Sequence, residues 1–457
     1  MARIGLISLG CPKNVVDAEE ILGEVEKAGH EIESDPTQAE VLIVNTCGFI
    51  RSAKEESIDA VLDAVRYKTN GACRSVIVTG CLAQRYGAEL AEELPEADAF
   101  IGLKESRDIA RVISRTLRGD RVVEVGEPSG WWLKSGNRVL STPPWTAYLR
   151  VADGCDNRCT YCAIPGIRGG FRSRPERDVL DEARALADAG VKELNLIAQD
   201  ITRYGTDTAG EQRLPGLLGK LSAVDGIRWI RLLYCYPTRI SDDLIRTIAA
   251  NEKVCKYIDV PLQHCSDRIL RAMGRRGSKQ EYLDLFACIR EECPAAALRT
   301  TFMVGFPGET EEEFEELMDF VRRVRFDRMG VFCYSAEDGT PAALLPDKVN
   351  RSTTNSRYRR LMELQREISL GRNKELIGAR LEVLVESVED KSAVGRSYRD
   401  APDIDGLVYV ENPGRAAPGD FITAEVTEAR DYDLVGRGMV NGRMRTSMDH
   451  QPSAIGH

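Results

Sequence analysis

Three cysteines stand in one short run, Cys155-Asp-Asn-Arg-Cys159-Thr-Tyr-Cys162, just after a strand-like segment, Ala147 to Val151. Thiolates at C-x3-C-x2-C spacing on one tight loop can hold three irons of a 4Fe–4S cluster and leave the fourth iron open. The alternatives are a zinc loop or unligated thiols. Zinc would want a fourth cysteine or histidine close by, and none follows within the next 70 residues. The chain has 13 cysteines and four histidines. An odd cysteine count in a large chain without a secretion-signal pattern argues against a disulfide scaffold. Two of the histidines, His450 and His457, lie in a polar tail. His30 and His264 are too few for a multi-histidine zinc site.

The surrounding pattern is α/β. From Arg3 to Gly102, short apolar segments at Ile4 to Leu9, Val41 to Thr46, Val76 to Thr79 and Ala99 to Ile101 read as buried parallel strands. Helical spacing over Val15 to Lys27 and Ile50 to Tyr67 separates them. This predicts a doubly wound parallel-sheet domain over residues 1–119. A loop with Trp131, Trp132, Pro143 and Pro144 leads to a second series over 141–372. Its strands are expected at Ala147 to Val151, Lys192 to Ala198, Trp229 to Tyr234, Tyr257 to Val260, Leu298 to Val304 and Gly330 to Tyr334. Helices are expected at Glu176 to Ala189, Asp242 to Ala250, Gln280 to Glu292 and Glu311 to Val324. Six strand–helix units fall short of the eight of a closed barrel, which points to an open, partial (β/α)6 barrel. An Arg-rich helix from Ser356 to Ile377 then leads to five short alternating strands, between Leu381 and Gly438. These suit a five-stranded β-barrel of the oligonucleotide-binding kind over 374–441. Residues 442–457 read as a disordered tail.

A second sulfur constellation is dispersed. Cys11, Cys47 and Cys81 each follow a predicted strand of the first domain, at separations of 36 and 34 residues. Three thiols at one edge of a parallel sheet would meet in the crevice where such folds bind ligands. Gly10, Gly48 and Gly80 adjoin them and allow close backbone approach. Cys73 precedes its strand and is expected at the opposite edge as a structural residue. Cys235, Cys255, Cys265, Cys288, Cys293 and Cys333 are expected to pack as small hydrophobes.

Hydrophobic residues make up 43% of the chain and charged residues 29%, which excludes a disordered polymer. The longest apolar runs are far shorter than the ~18 residues a spanning helix needs, so a cytoplasmic, membrane-free protein is expected. The net charge is −10. Between Lys374 and Val440, eight Lys and Arg face 14 Asp and Glu, a net of −6. A barrel that grips RNA needs a positive groove. This one suits a basic protein partner instead.

Gly154-Cys-Asp-Asn-Arg-Cys-Thr-Tyr-Cys162, with Tyr161 in the aromatic slot, resembles the radical S-adenosylmethionine (SAM) signature. With Cys11, Cys47, Cys81 and the β-rich tail, the chain to about Val440 resembles the radical SAM methylthiotransferases, whose tail is a TRAM domain. Ser8-Leu-Gly-Cys-Pro-Lys-Asn14 with Val16-Asp17, Asn45-Thr-Cys-Gly-Phe-Ile50, Thr79-Gly-Cys-Leu-Ala-Gln-Arg85 and Cys162-Ala-Ile-Pro-Gly-Ile-Arg-Gly169 are similar to its ribosomal-protein branch. The transfer RNA branches typically carry Gln-x-Asn after the first cysteine, where this chain has Pro12-Lys13-Asn14. Ala18 departs from the serine expected there.

The resemblance implies methylthiolation of the β-carbon of an aspartate in small-subunit ribosomal protein S-twelve. It implies two 4Fe–4S clusters: one held by Cys11, Cys47 and Cys81, which would carry the sulfur to be inserted, and one held by Cys155, Cys159 and Cys162. The second would chelate SAM, which serves as methyl donor and radical source. A reductant such as flavodoxin or ferredoxin would feed electrons, and transfer RNA is not the expected partner. Gln199 and Asp200 after the second strand, and Gly305 and Gly308 in the Met303-Val-Gly-Phe-Pro-Gly-Glu309 turn, are expected to line the SAM pocket with Tyr161. For the glycine turn, a plain strand-to-helix connection is an equal reading. His264, at a strand end, reads as a core histidine. The competing functions are a transfer RNA methylthiotransferase of the same family, an iron–sulfur electron-transfer or cluster-carrier protein, and, more distantly, a zinc-dependent nucleic-acid-binding module.

Overall fold

The computed structural model describes residues 1–128, 138–440 and 443–444. Trp131, Trp132 and most of the tail expected to be disordered lie outside the described residues. The exception is Arg443–Met444, a short strand that pairs antiparallel with the strand before it.

In chain order the first elements are β1 (Arg3–Ser8), α1 (Pro12–Lys27), β2 (Glu31–Ile32), β3 (Val41–Thr46), α2 (Arg51–Asn70), β4 (Ser75–Gly80), α3 (Cys81–Glu93), β5 (Ala99–Ile101), α4 (Ile109–Thr116) and β6 (Val122–Glu124). Then come β7 (Thr146–Arg150), β8 (Ala152–Asp153), α5 (Ile164–Arg168), β9 (Arg172–Ser173), α6 (Glu176–Asp188), β10 (Glu193–Ile197), α7 (Thr206–Ala209) and α8 (Leu214–Ser222). The series continues with β11 (Trp229–Leu232), α9 (Asp242–Ala250), β12 (Val254–Gln263), α10 (Asp267–Ala272), α11 (Lys279–Glu292), β13 (Ala297–Val304), α12 (Glu311–Val324), β14 (Arg328–Cys333) and α13 (Arg351–Lys374). The last strands are β15 (Arg380–Glu389), β16 (Ser392–Ser397), β17 (Val408–Glu411), β18 (Phe421–Ala429) and β19 (Leu434–Val440).

The chain forms two compact units. The first comprises residues 1–227, 271–276 and 335–346. Its amino-terminal part is a parallel sheet in the order β2-β1-β3-β4-β5-β6. Because side chains alternate along a strand, Val41, Ile43 and Ile77 join Ile21, Val25, Ile109 and Ile113 of α1 and α4 in one core. Leu42, Val44, Val76 and Val78 face the other way, onto Val61 and Ala64 of α2 and Leu82 of α3. The strands are apolar on both faces because helices cover both. This is the doubly wound arrangement expected. Farther along, β7 and β10 pair in parallel, with Leu149 opposite Leu196.

The second unit comprises residues 228–270, 277–334 and 347–457. Strands β11 to β14 pair in parallel, each with its successor. Thr310 and Glu313 form a reciprocal capping box that starts α12 at the position the sequence predicts. Asn350 caps α13, its side chain accepting from the Thr353 amide at 2.8 Å, so this helix starts before the Ser356 expected; it ends at Lys374, short of the expected Ile377. Strands β15 to β19 close into a five-stranded barrel, with β17 pairing both β16 and, in parallel, β19.

The barrel's acidic excess is partly internal. Asp400 is 1% exposed and accepts from Arg328 Nε at 3.0 Å. Asp405 accepts from the Tyr257 hydroxyl at 2.6 Å and from Arg299 at 3.4 Å. These carboxylates balance arginines on the parallel strands, so they add nothing to the outer field.

Asp327 plays a similar part. It accepts from Arg399 at 2.6 Å, Arg372 at 3.1 Å and the Leu298 amide at 2.9 Å. Burial would raise its carboxyl, but the Arg399 and Arg372 guanidiniums and the amide overcome that and hold it below the usual carboxylate range. A depressed folded pKa adds stability that is present above the unfolded value, 3.8, and lost as pH falls through the folded one. Asp327→Asn is therefore expected to cost roughly 3 kcal/mol at neutral pH, the scale of a broken buried pair. Its melting deficit against the parent should shrink in titrations below pH 4; a deficit constant with pH would refute the linkage.

Candidate active site

The first sulfur trio is assembled by topology. Cys11, Cys47 and Cys81 follow β1, β3 and β4, which are neighbours in the sheet, and β1 and β3 flank the point where strand order reverses. Cys11 is the residue before α1, with extended backbone, and Cys81 opens α3. Cys47 is fixed by Ser57 of α2, whose Oγ accepts from the Cys47 amide at 2.9 Å and donates to its carbonyl at 3.0 Å. Gly10 sits at φ +97°, and a β-carbon there would lie 2.8 Å from Cys47 Cβ and 3.0 Å from its Sγ. Asn14 draws the edges together: its Nδ2 donates to the Leu9 and Thr46 carbonyls at 2.9 Å, and its Oδ1 accepts from Cys81 Sγ at 3.5 Å.

The second trio lies on the loop between β8 and α5, in the same unit. The Cys155 amide donates to Gly169 O at 3.0 Å and the Cys162 amide to Cys159 O at 3.0 Å, so the loop folds back on itself. The Thr160 amide donates to Met273 O at 2.9 Å. Arg275 Nη1 stands 3.8 Å from Cys159 Sγ and 3.4 Å from the Tyr161 hydroxyl. Asn157 Nδ2 donates to Asp200 Oδ2 at 3.0 Å. Gln199 Nε2 donates to Asp153 Oδ1 at 2.7 Å, while Gln199 Oε1 is buried without a hydrogen-bond partner among the described residues.

Between the trios runs a buried ionic network that the sequence reading did not single out. Arg150, at the end of β7 and 1% exposed, donates to both carboxylate oxygens of Glu20 at 2.7 Å and to Asp17. Arg168, the last residue of α5, donates to Asp17 at 2.5 Å, to Asn14 Oδ1 at 3.0 Å and to Asp153 at 3.1 Å. The same guanidinium stands 3.6 Å from Cys81 Sγ. The sequence signal is weak: Asp17 and Glu20 fall one helical turn apart on α1, on the same side as Lys13 and Asn14, and it is their burial that asks for a cation.

Burial pushes the Cys81 and Cys162 thiols up to about 12 and Cys155 to about 11. Such thiols are poor free nucleophiles at neutral pH. Ligation to a metal would reverse this by stabilising the thiolate and releasing a proton. Among the described residues no three His, Cys, Asp or Glu side chains stand close enough to share a single metal ion. A cubane, whose iron corners are set apart, spreads its three thiolates more widely than one ion does. Both three-sulfur sets, each with an arginine beside a sulfur, suit that larger, anionic group.

Other expected site residues are placed as follows. Gly305 and Gly308 lie in the second unit at φ +75° and +81°. A β-carbon at Gly305 would fall 2.2 Å from Thr354 Oγ1, so packing against α13 already demands glycine there. His264 is fully buried, its Nδ1 accepting from the Ser266 amide at 3.0 Å and its Nε2 3.4 Å from Glu309. Cys73 is buried in the core under α2, and its Sγ donates to Ser75 O at 3.3 Å. Cys235, Cys255, Cys265 and Cys293 are buried and Cys288 is half-buried, but Cys333 is exposed. Cys333 ends β14, where the burial pattern gives way to exposed positions, so it is not a packing residue.

Three family models match the chain: Uncharacterized protein family UPF0004 over residues 3–102, the Radical SAM superfamily over 149–321 and the TRAM domain over 377–438. The ribosomal protein uS12 methylthiotransferase RimO of Geobacter sulfurreducens is 50% identical over 438 residues, covering 95% of this chain and 98% of that one. That of Desulforamulus reducens is 50% identical over 440 residues, covering 95% and 99%. Among solved structures, the radical SAM methyltransferase TsrM of Kitasatospora setae, with cobalamin and a 4Fe–4S cluster bound, aligns at a TM-score of 0.55 and 15% identity. That alignment covers 83% of this chain and 79% of TsrM, and it supports the fold alone. With half its residues identical to these relatives along nearly its whole length, the chain belongs to the RimO family of radical SAM methylthiotransferases.

Proposed function

We propose that this chain transfers a methylthio group to the β-carbon of an aspartate in ribosomal protein uS12. In this reading Cys11, Cys47 and Cys81 hold one 4Fe–4S cluster, and Cys155, Cys159 and Cys162 hold the SAM-chelating one. The observation that carries the reading is the gathering of two cysteine trios into one unit, with Arg168 of α5, the helix after the second loop, touching Cys81 of the first trio. When bound, the clusters and SAM supply the low-potential electron and the hydrogen-atom abstraction that no protein side chain provides.

The protein's own groups bind and orient. Asn157 and Asp200 brace the loop of the second trio, and Tyr161 is held by Arg275. Gln199 Oε1 is a buried acceptor open to a donor such as the ammonium of the SAM aminoacyl group. Gly305 and Gly308 enter the SAM pocket on the family resemblance. The assignment of 1–119, 141–372 and 374–441 to cluster-binding, radical SAM and TRAM domains follows the same reading. Among the described residues no helix is long and apolar enough to cross a membrane, and we place the activity in the cytoplasm with a flavodoxin- or ferredoxin-type reductant.

The test is reconstitution under anaerobic conditions with SAM, dithionite and purified uS12, read by mass spectrometry of the substrate aspartate. Methylthio-aspartate is expected. Modification of transfer RNA in place of uS12 would give the function to the transfer RNA branch instead. The acidic barrel adds a second expectation: binding to uS12 weakens as salt rises, because exposed charge pairs are screened beyond about 10 Å at 0.1 M. Free transfer RNA binds poorly in the same assay. Salt-independent uS12 binding, or saturable transfer RNA binding, would refute the charge argument.

A further inference from the structure

A cluster held by three thiolates is an anion, and reduction adds another negative charge to it. In a buried crevice that charge needs a facing cation. Arg168 meets this need from an unexpected direction. It belongs to α5, which follows directly on the loop of the second trio, yet its Nη2 stands 3.6 Å from Cys81 Sγ and 3.0 Å from Asn14 Oδ1. Asn14 in turn accepts from that same Sγ at 3.5 Å. The guanidinium is 3% exposed, and Asp17 and Asp153 hold it in place from either side. Asp153 also accepts from Gln199 at 2.7 Å. One side chain thus joins the first sulfur trio to the group expected to meet SAM.

We propose that Arg168 is a positioning residue for the amino-terminal cluster, fixing the Cys81 rotamer and setting the cluster's reduction potential with its charge. The proposal rests on the assignment of Cys11, Cys47 and Cys81 as cluster ligands. A fixed cation beside the cluster stabilises the reduced, more negative form, so its removal lowers the potential. Lysine keeps the charge but has no planar fork to reach Cys81, Asp17 and Asp153 together.

The experiment uses the full chain carrying Cys155→Ala, Cys159→Ala and Cys162→Ala, so that any cluster present is the amino-terminal one. Its potential is measured by redox titration followed by electron paramagnetic resonance, alone and with Arg168→Gln or Arg168→Lys added. Iron and sulfide content and circular dichroism are recorded in parallel. The expected result is a cluster in all three proteins, with the potential lower in Arg168→Gln and intermediate or near the parent in Arg168→Lys. A potential unmoved by Arg168→Gln in a cluster-loaded protein overturns the proposal. An absence of cluster in the Cys-triple parent overturns the ligand assignment beneath it. Loss of the cluster in both Arg168 variants, with the fold retained, refutes a tuning role and leaves Arg168 needed for assembly only.

Discussion

Alanine at Cys11, Cys47 or Cys81 is expected to leave reductive SAM cleavage near the parent rate while product formation falls to background. The two trios sit on different elements: one at the ends of β1, β3 and β4, the other on the loop after β8. On the proposed assignment, removing a thiol from the first deletes a cluster ligand there and leaves all three thiols of the second, along with Asn157, Asp200 and Gln199 around it. Loss of a ligand should exceed the roughly 10–100-fold penalty that follows loss of an outer-shell partner at a metal site. The measurement pairs chromatography of 5′-deoxyadenosine with mass spectrometry of uS12. Product formed by any of the three variants would end the division of labour. The reciprocal change at Cys155, Cys159 or Cys162 should stop both readouts.

Arg150→Ala is expected to be the most damaging change away from the thiols. It strips the cation from Glu20, which is nearly fully buried, and leaves Asp17 and Asp153 to share Arg168. Breaking a buried pair by removing one partner costs about 3–5 kcal/mol, and ~1 kcal/mol moves the melting temperature of a cooperative unit of about 150–250 residues by roughly 2–4 °C. A fall of about 10 °C follows from these two scales. Burial already raises the Glu20 carboxyl above its ordinary value even with Arg150 beside it. An acid whose folded pKa is raised loses stability as pH climbs through and above its unfolded value, so the deficit of the variant should narrow as pH falls toward 4.5. Arg51→Ala is the control, since Arg51 and Glu55 are 80% and 62% exposed and such pairs contribute little. Equal melting shifts for the two variants would show that the network is not a buried one.

The cysteine positions were readable because a parallel sheet converts sequence position into space. Every thiol that directly follows a strand arrives at the same edge, and Cys73, which precedes its strand, does not. Helix ranges such as that of α12 were readable because apolar spacing is a local signal, whereas the Asn350 cap that starts α13 was not read and the helix begins before Ser356. Cys333 misled, since burial at the end of β14 depends on what covers it, and sequence period is silent on that. The charge of the barrel was countable, but how much faces outward was not. Asp400 and Asp405 are spent on Arg328 and Arg299, far away in the chain.

Sequence by itself determined the family and the fold class, because these rest on residue type, on motif spacing and on the apolar period of each element. The tertiary structure alone decided the polar wiring. Arg168 reaches Asp17 and Cys81 across 151 and 87 residues, and Arg150 reaches Glu20 across 130. Such pairings follow from which buried face meets which once the sheets have twisted and packed, and from the need of each desolvated charge to find a partner there.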